Sequence, residues 1–321
     1  MSYKKLIVEA IDLVTSEYET KAGFIRFALE KSKRCAPYIE QAKVLRCQAS
    51  KAKDVFDLIH DKTIRAGLLT AAGLSDKSLK YLGDEDKEKA INQLVKNFLE
   101  PAGENFVDEL VYRYLLIKGD AMGGSMRNII GIMAEKRLFG KLLAVLSARG
   151  MYYRWKRKGS KVWEMKPEDE TILEGNCKII AWSQEDASFE LHMNENMPLL
   201  KKNVDICLYR LTSNERGLNA SDEESSMIML GELKGGIDPA GADEHWKTAN
   251  SALRRIRQFY EGAHPNIKTS FLGAAIEKSM AEEIFLQLKS GELSYAANLS
   301  NDEQLTNYCQ WIVEGCANEN V

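Results

Sequence analysis

At 321 residues, with 45% hydrophobic and 28% charged side chains, the chain has the composition of a soluble globular protein. It is long enough for one large domain or two closely packed ones. A net charge of −3 excludes a uniformly basic nucleic-acid coat protein but not DNA binding, which depends on where the charge lies. No run approaches the ~20 apolar residues of a membrane span. The N-terminus, MSYKKLIVEAIDLVTSEYE, lacks a signal-peptide core and cleavage site, so a cytoplasmic protein is expected. Cys35, Cys47, Cys177, Cys207, Cys309 and Cys316 are scattered without CxxC spacing and read as reduced thiols. Four histidines without a cluster argue against a zinc site.

The first part of the chain reads as helical. Residues 3–18, 21–34 and 38–60 carry apolar residues at helical spacing, with Gly23 and Pro37 near the joints. Residues 82–100 open with acids, which suit the positive end of a helix dipole, and then become amphipathic. Pro101-Ala102-Gly103 breaks that helix, and another amphipathic one is expected over 104–117. KGDAMGGSMRN, residues 118–128, reads as a joint. Gly123-Gly124 there form a tight turn or present backbone N–H groups to a phosphate. An apolar-periodic segment then runs to about Ala148, with Gly150 as its C-cap.

After residue 150 the texture turns to strands. MYYRW and KVWEMK flank Gly159-Ser160 as a hairpin, and CKIIAWS and SFELHM are further short strands. Strands are expected over 203–211, 226–235 and 268–276, and helices over 243–260 and 279–290 and in the tail. The whole predicts an α/β protein: a mostly helical region first, then a mixed sheet flanked by helices, with a boundary near residue 116.

Two stretches concentrate positive charge. Residues 21–53 hold nine Lys/Arg against two acids, and residues 151–166 hold six against one. Each is either a solvated basic face or a surface that meets phosphates.

The chemistry concentrates on two neighbouring strands. Glu232 and Lys234 are two apart on a strand and therefore project from one face, with Leu233 toward the other. Asp205 sits in the middle of the preceding strand and comes beside Glu232 if the two strands pair. Adjacent carboxylates repel, and a hard cation between them relieves the repulsion. Oxygen ligands with open water positions suit Mg²⁺. Such an ion acidifies a bound water, and a neighbouring ammonium stabilises charge developing on phosphate. Asp, Glu-x-Lys and Mg²⁺ thus form a phosphodiester-hydrolysis set, although a structural ion pair fits the same residues. Glu-x-Lys also occurs at Glu85–Lys87 and Glu164–Lys166, but there without an acid-bearing apolar strand before it and a glycine pair after it. His245, past the strand end, is placed to bind water or phosphate, or else faces solvent. Arg254, Arg255 and Arg257 follow on the same helix.

GELKGGIDPAGADEHWKTAN, residues 231–250, closely resembles the active-site stretch of the AvaI/BsoBI type II restriction endonucleases. KAGFIRFALEKSKR, LEPAGENFVDELVYRYLL, KGDAMGGSMRN, PLLKKNVDIC and GAAIEKSMAEEI resemble further family segments in the same order, so the resemblance covers nearly the whole chain. It implies a restriction-endonuclease-like core with PD-(D/E)xK catalytic residues Asp205, Glu232 and Lys234, the two acids holding Mg²⁺. It implies His245 beside the attacking water, and Lys77 and Asp238 as readers of a degenerate base pair. Val204 stands where the wider superfamily has proline, a proline that this family also lacks. It further implies a homodimer that encircles duplex DNA, cleavage at CYCGRG with four-nucleotide 5′ overhangs, and a companion DNA methyltransferase that protects host DNA. On this reading residues 1–115 are the DNA-enclosing helical region and 116–321 the catalytic core. The rival readings are a repair or recombination nuclease on the same core, a DNA-binding protein that keeps the fold without cutting, and a plain structural or interaction protein.

Overall fold

The alternating segments after residue 150 all join one sheet, because each has an apolar face and can bury it only against shared layers of helix. The computed structural model describes residues 3–173, 175–184, 187–197, 200–211, 227–260 and 267–316. Its strands are β1 (Tyr153–Arg157), β2 (Trp163–Met165), β3 (Cys177–Gln184), β4 (Ala187–Met197), β5 (Lys202–Leu211), β6 (Met227–Lys234), β7 (Lys268–Gly273) and β8 (Tyr295–Asn298). The sheet order is β2-β1-β3-β4-β5-β6-β7-β8. Neighbours are antiparallel as far as β6, whereas β6–β7 and β7–β8 are parallel. The parallel steps need crossovers, which α6 (Pro239–Tyr260) and α7 (Lys278–Ser290) supply.

Side-chain alternation divides the sheet between two cores. Ile206, Leu208, Met229 and Leu272 pack with Leu138 and Leu142 of α5 (Phe106–Ala148) and with Trp311 of α8 (Asp302–Val313). Cys207, Tyr209, Leu230 and Phe271 point the other way, onto Trp246, Leu253 and Ile284 of α6 and α7. The remaining helices are α1 (Glu17–Ala49), α2 (Asp57–His60), α3 (Arg65–Ala71) and α4 (Asp84–Leu94). The chain divides into a unit of residues 1–25 with 129–321, which holds the sheet, and a helical unit of residues 26–128. The helical unit has its own core of Leu45, Leu58, Leu68, Ile91, Leu94, Leu110 and Tyr114. The fold is thus the expected mixed α/β core with a mostly helical N-terminal region. No described helix is long and apolar enough to cross a membrane.

The helix boundaries depart from the sequence reading at several points. In place of a helix over 3–18, short 3-10 turns at Tyr3–Lys5 and Ala10–Leu13 precede α1, which begins at Glu17. Helix α1 then passes unbroken through both Gly23 and Pro37 and ends at Ala49, so the expected 38–60 helix is cut short. Proline removes one backbone donor, but Pro37 and Lys33 are exposed, so water can satisfy the carbonyl left over. Gly23 serves close approach: a Cβ there would lie 2.3 Å from Ile237. Gly123 and Gly124 lie inside α5, so they form neither a turn nor a phosphate cradle. Two mid-helix glycines cost about 1 kcal/mol each. Burial of Met122, Met126 and Ile129 around them offsets that cost. The break at Gly103 is real, with φ +58 where other residues are strained.

Strands β5 to β7 tolerate little added volume around Gly231. A Cβ on Gly231 of β6 would lie 2.4 Å from Ser270 Oγ, itself bonded to Tyr308 Oη, and 3.4 Å from Ile206 Cβ. Gly231→Ala is expected to cost about 1–3 kcal/mol of stability, read as a lower urea midpoint with an unchanged slope. An unchanged midpoint would refute this packing account.

Candidate active site

Strands β5 and β6 pair with Ile206 opposite Gly231, which sets Asp205 abreast of Glu232. Both acids and Lys234 share the sheet face of Cys207 and Leu230, while Leu233 turns to the opposite core. Asp205 Oδ2 accepts a hydrogen bond from the Leu233 backbone N–H at 2.9 Å and another from Lys234 Nζ at 3.1 Å. Lys234 Nζ also reaches Glu232 Oε2 at 2.6 Å. The ammonium therefore bridges two carboxylates. The Glu232 side chain is only 7% exposed, against 24% for Asp205 and 22% for Lys234.

These surroundings separate the acids chemically. Burial, then the negative charge of Asp205, push the Glu232 carboxyl up to about 7, with Lys234 opposing. Burial works against the Lys234 ammonium, but the two carboxylates outweigh it and hold its pKa above the ordinary value. Among the described residues no third His, Cys, Asp or Glu completes a metal cage. The donor set still fits a hard divalent cation: two adjacent oxygen donors, one buried and half-neutralised, leave shell positions for water or phosphate oxygens.

The other candidates take distinct places. His245 is exposed on α6, its Nε2 2.9 Å from where a Gly236 Cβ would be, so the imidazole lies over the chain leaving Lys234. Its neighbour Trp246 is buried, donates to Glu283 Oε2 at 2.6 Å and meets the Phe271 ring edge-on, which anchors that turn of helix. Asp238 is exposed and caps α6, its Oδ1 accepting from the Ala240 N–H at 3.0 Å ahead of Pro239 at the first helical position. That cap explains why α6 starts before residue 243. Lys77 is exposed in the helical unit, just before the 3-10 turn Ser78–Lys80. The Leu233 amide and the close-packing glycines escaped the sequence reading. The amide leaves no side-chain trace, whereas the Gly235-Gly236 pair was visible without its reason. A Cβ on Gly235 would lie 2.7 Å from Ala134 Cβ of α5.

The basic stretches separate too. In 151–166, Arg154, Arg157, Lys158 and Lys166 pair with Glu190, Glu164, Glu135 and Glu170, so most of that charge is neutralised internally. Glu164 and Lys166 of that stretch are thus engaged by Arg157 and Glu170. On α1, Arg26, Lys31 and Lys33 are exposed without a carboxylate partner among the described residues, whereas Arg34 pairs with Glu30 and Lys43 with Glu40. Arg257 pairs with Glu292, while Arg254 and Arg255 are exposed.

A carboxyl whose folded pKa is raised destabilises the fold as pH climbs from its unfolded value through the folded one. The metal-free protein should therefore lose stability between pH 4.5 and about 7 at this site. Glu232→Gln should flatten that loss in thermal melts across pH 5–8, a window set by the same shift. Parallel pH profiles for the two proteins would contradict the assignment.

A restriction endonuclease BsobI family model matches residues 3–315. The type II restriction enzyme AvaI of Nostoc sp. (strain PCC 7120 / SAG 25.82 / UTEX 2576) is 46% identical over 314 residues, covering 98% of this chain and 100% of that enzyme. AvaI of Anabaena variabilis matches equally. The type II restriction enzyme BsoBI of Geobacillus stearothermophilus is 48% identical over 306 residues, 94% of this chain and 95% of its own. With a family model spanning the sheet unit and the helical unit alike, the chain belongs to the BsoBI family of type II restriction endonucleases.

Proposed function

We propose that the protein is a Mg²⁺-dependent type II restriction endonuclease that cuts both strands of duplex DNA at CYCGRG, leaving four-nucleotide 5′ overhangs. The observation that carries the chemistry is Lys234 bridging Asp205 and a buried Glu232 across the β5–β6 pair. Bound between the two carboxylates, Mg²⁺ would supply Lewis acidity to a water and to the phosphate. Lys234 orients the attacking water and meets charge building on the phosphate. The Leu233 N–H holds the Asp205 carboxylate in place. His245, lying over Gly236, accepts a hydrogen bond from the attacking water or helps move its proton.

Recognition follows from the chemistry of groove edges. A lysine donor such as Lys77 suits purine N7, which adenine and guanine share, and a carboxylate such as Asp238 accepts from exposed amines. A palindromic site calls for a symmetric homodimer. Residues 1–115 help enclose the duplex and 116–321 cut it. The unpartnered cations of α1 suit phosphate contacts. The enzyme works in the cytoplasm beside a methyltransferase that protects host DNA.

Plasmid digestion with Mg²⁺, followed by sequencing of the ends, tests the reading. Discrete bands with CYCGRG ends are expected. A smear or junction-specific cutting would make this a repair nuclease, and a gel shift without cleavage would make it a DNA-binding protein. Asp205→Asn, Glu232→Gln and Lys234→Ala should each slow cleavage on the order of a thousandfold or more while leaving DNA binding largely intact. Full activity in any one of them would remove that residue from the mechanism. His245→Ala should slow cleavage about a hundredfold at an unchanged site, and a wild-type rate would dismiss its role.

A further inference from the structure

Asp205 stands at the point where its strand loses a neighbour. The β5–β6 rungs end at Ile206–Gly231, and β4 pairs with the residues on either side of Asp205, Ile206 and Val204. On β4 the position abreast of Asp205 is Asn194, because Met193 pairs with Ile206 and Glu195 with Val204. Asn194 is not extended: its φ is +51, in the left-handed region that residues other than glycine seldom adopt. Asparagine bears that conformation more cheaply than most residues, but it still requires support from its surroundings.

The surroundings provide it through Glu135 and Lys178. Strict alternation would put the Asn194 side chain on the face of His192. The left-handed backbone breaks that alternation, and the amide Nδ2 instead donates to Glu135 Oε1 on α5. Glu135 is 9% exposed and bonded through its other oxygen to Lys158 Nζ at 2.8 Å. Lys178 Nζ donates to the backbone carbonyls of Met193 and Asn194. The residue before Glu135, Ala134, is the one against which Gly235 packs at the exit of β6. Two consecutive residues of α5 thus touch the strand beside Asp205 and the chain just past Lys234.

We propose that Glu135 and Asn194 are positioning residues for DNA cleavage: their hydrogen bond sets the β4 backbone against which Asp205 is placed relative to Glu232 and Lys234. The proposal rests on the nuclease reading above. Glu135 acts through Asn194 and is not itself a metal ligand, since no third carboxylate joins the site among the described residues.

The test combines single-turnover cleavage, calorimetric titration of the DNA-free protein with Mn²⁺ alone, and thermal melts, applied to Glu135→Ala, Glu135→Gln, Asn194→Ala and the Glu135→Ala/Asn194→Ala double variant. The alanine variants should each lose about tenfold to a hundredfold in cleavage rate and a similar factor in Mn²⁺ affinity. The double variant should be no worse than either single. Glu135→Gln keeps an acceptor for Asn194 and should retain most of both properties. Wild-type rate and Mn²⁺ affinity in the alanine variants would overturn the proposal while leaving the nuclease reading intact. So would a glutamine variant as impaired as the alanine one with an equal fall in melting temperature, the mark of a purely structural residue. A wild-type protein that cuts no DNA, yet whose variants still lose Mn²⁺ affinity, would reject the nuclease reading and support the Asn194 clamp.

Discussion

The constraint on which the site depends is the side-by-side placement of two carboxylates, one of them buried. The β5–β6 register fixes Asp205 abreast of Glu232, and the fold supplies Lys234 and the Leu233 N–H to hold them there. Repulsion between the acids is not removed but redirected, into a Glu232 carboxyl that keeps its proton to about neutral pH. A site in this condition favours any added positive charge that its oxygens can reach.

Much of the surrounding structure serves to bring rigid elements close to that point. Gly235 lets α5 approach the end of β6, and Gly236 leaves room for the His245 imidazole. Trp246, locked by Glu283 and Phe271, fixes the helical turn that carries His245. Asp238 and Pro239 start α6 immediately after the strand, which keeps the strand-to-helix connection short. The proposed active centre therefore sits on strand ends and helix starts rather than on a long loop, an arrangement that holds side chains to narrow tolerances.

The errors of the sequence reading have a common origin. Pro37 and the Gly123-Gly124 pair are strong local breakers, yet α1 and α5 run through them because propensity is weaker than packing. Strand β8 went unseen because Tyr-Ala-Ala-Asn has no alternation and is buried along its whole length. The basic stretch 151–166 could be counted but not interpreted. Two of its partners, Glu135 on α5 and Glu190 on β4, lie on other segments, and such long-range pairing has no signature in local composition.

The sequence by itself determined the strand pair, the single face shared by Glu232 and Lys234, and the acid on the preceding strand, since alternation is a local property of an extended chain. Its long ordered resemblance to one restriction-enzyme family determined the class as well. Tertiary structure decided which Glu-x-Lys set meets a second carboxylate, which acid is buried, and which backbone holds it. Register between strands, the depth of burial and the left-handed turn at Asn194 arise from contacts between segments far apart in the chain, and only folding brings those segments together.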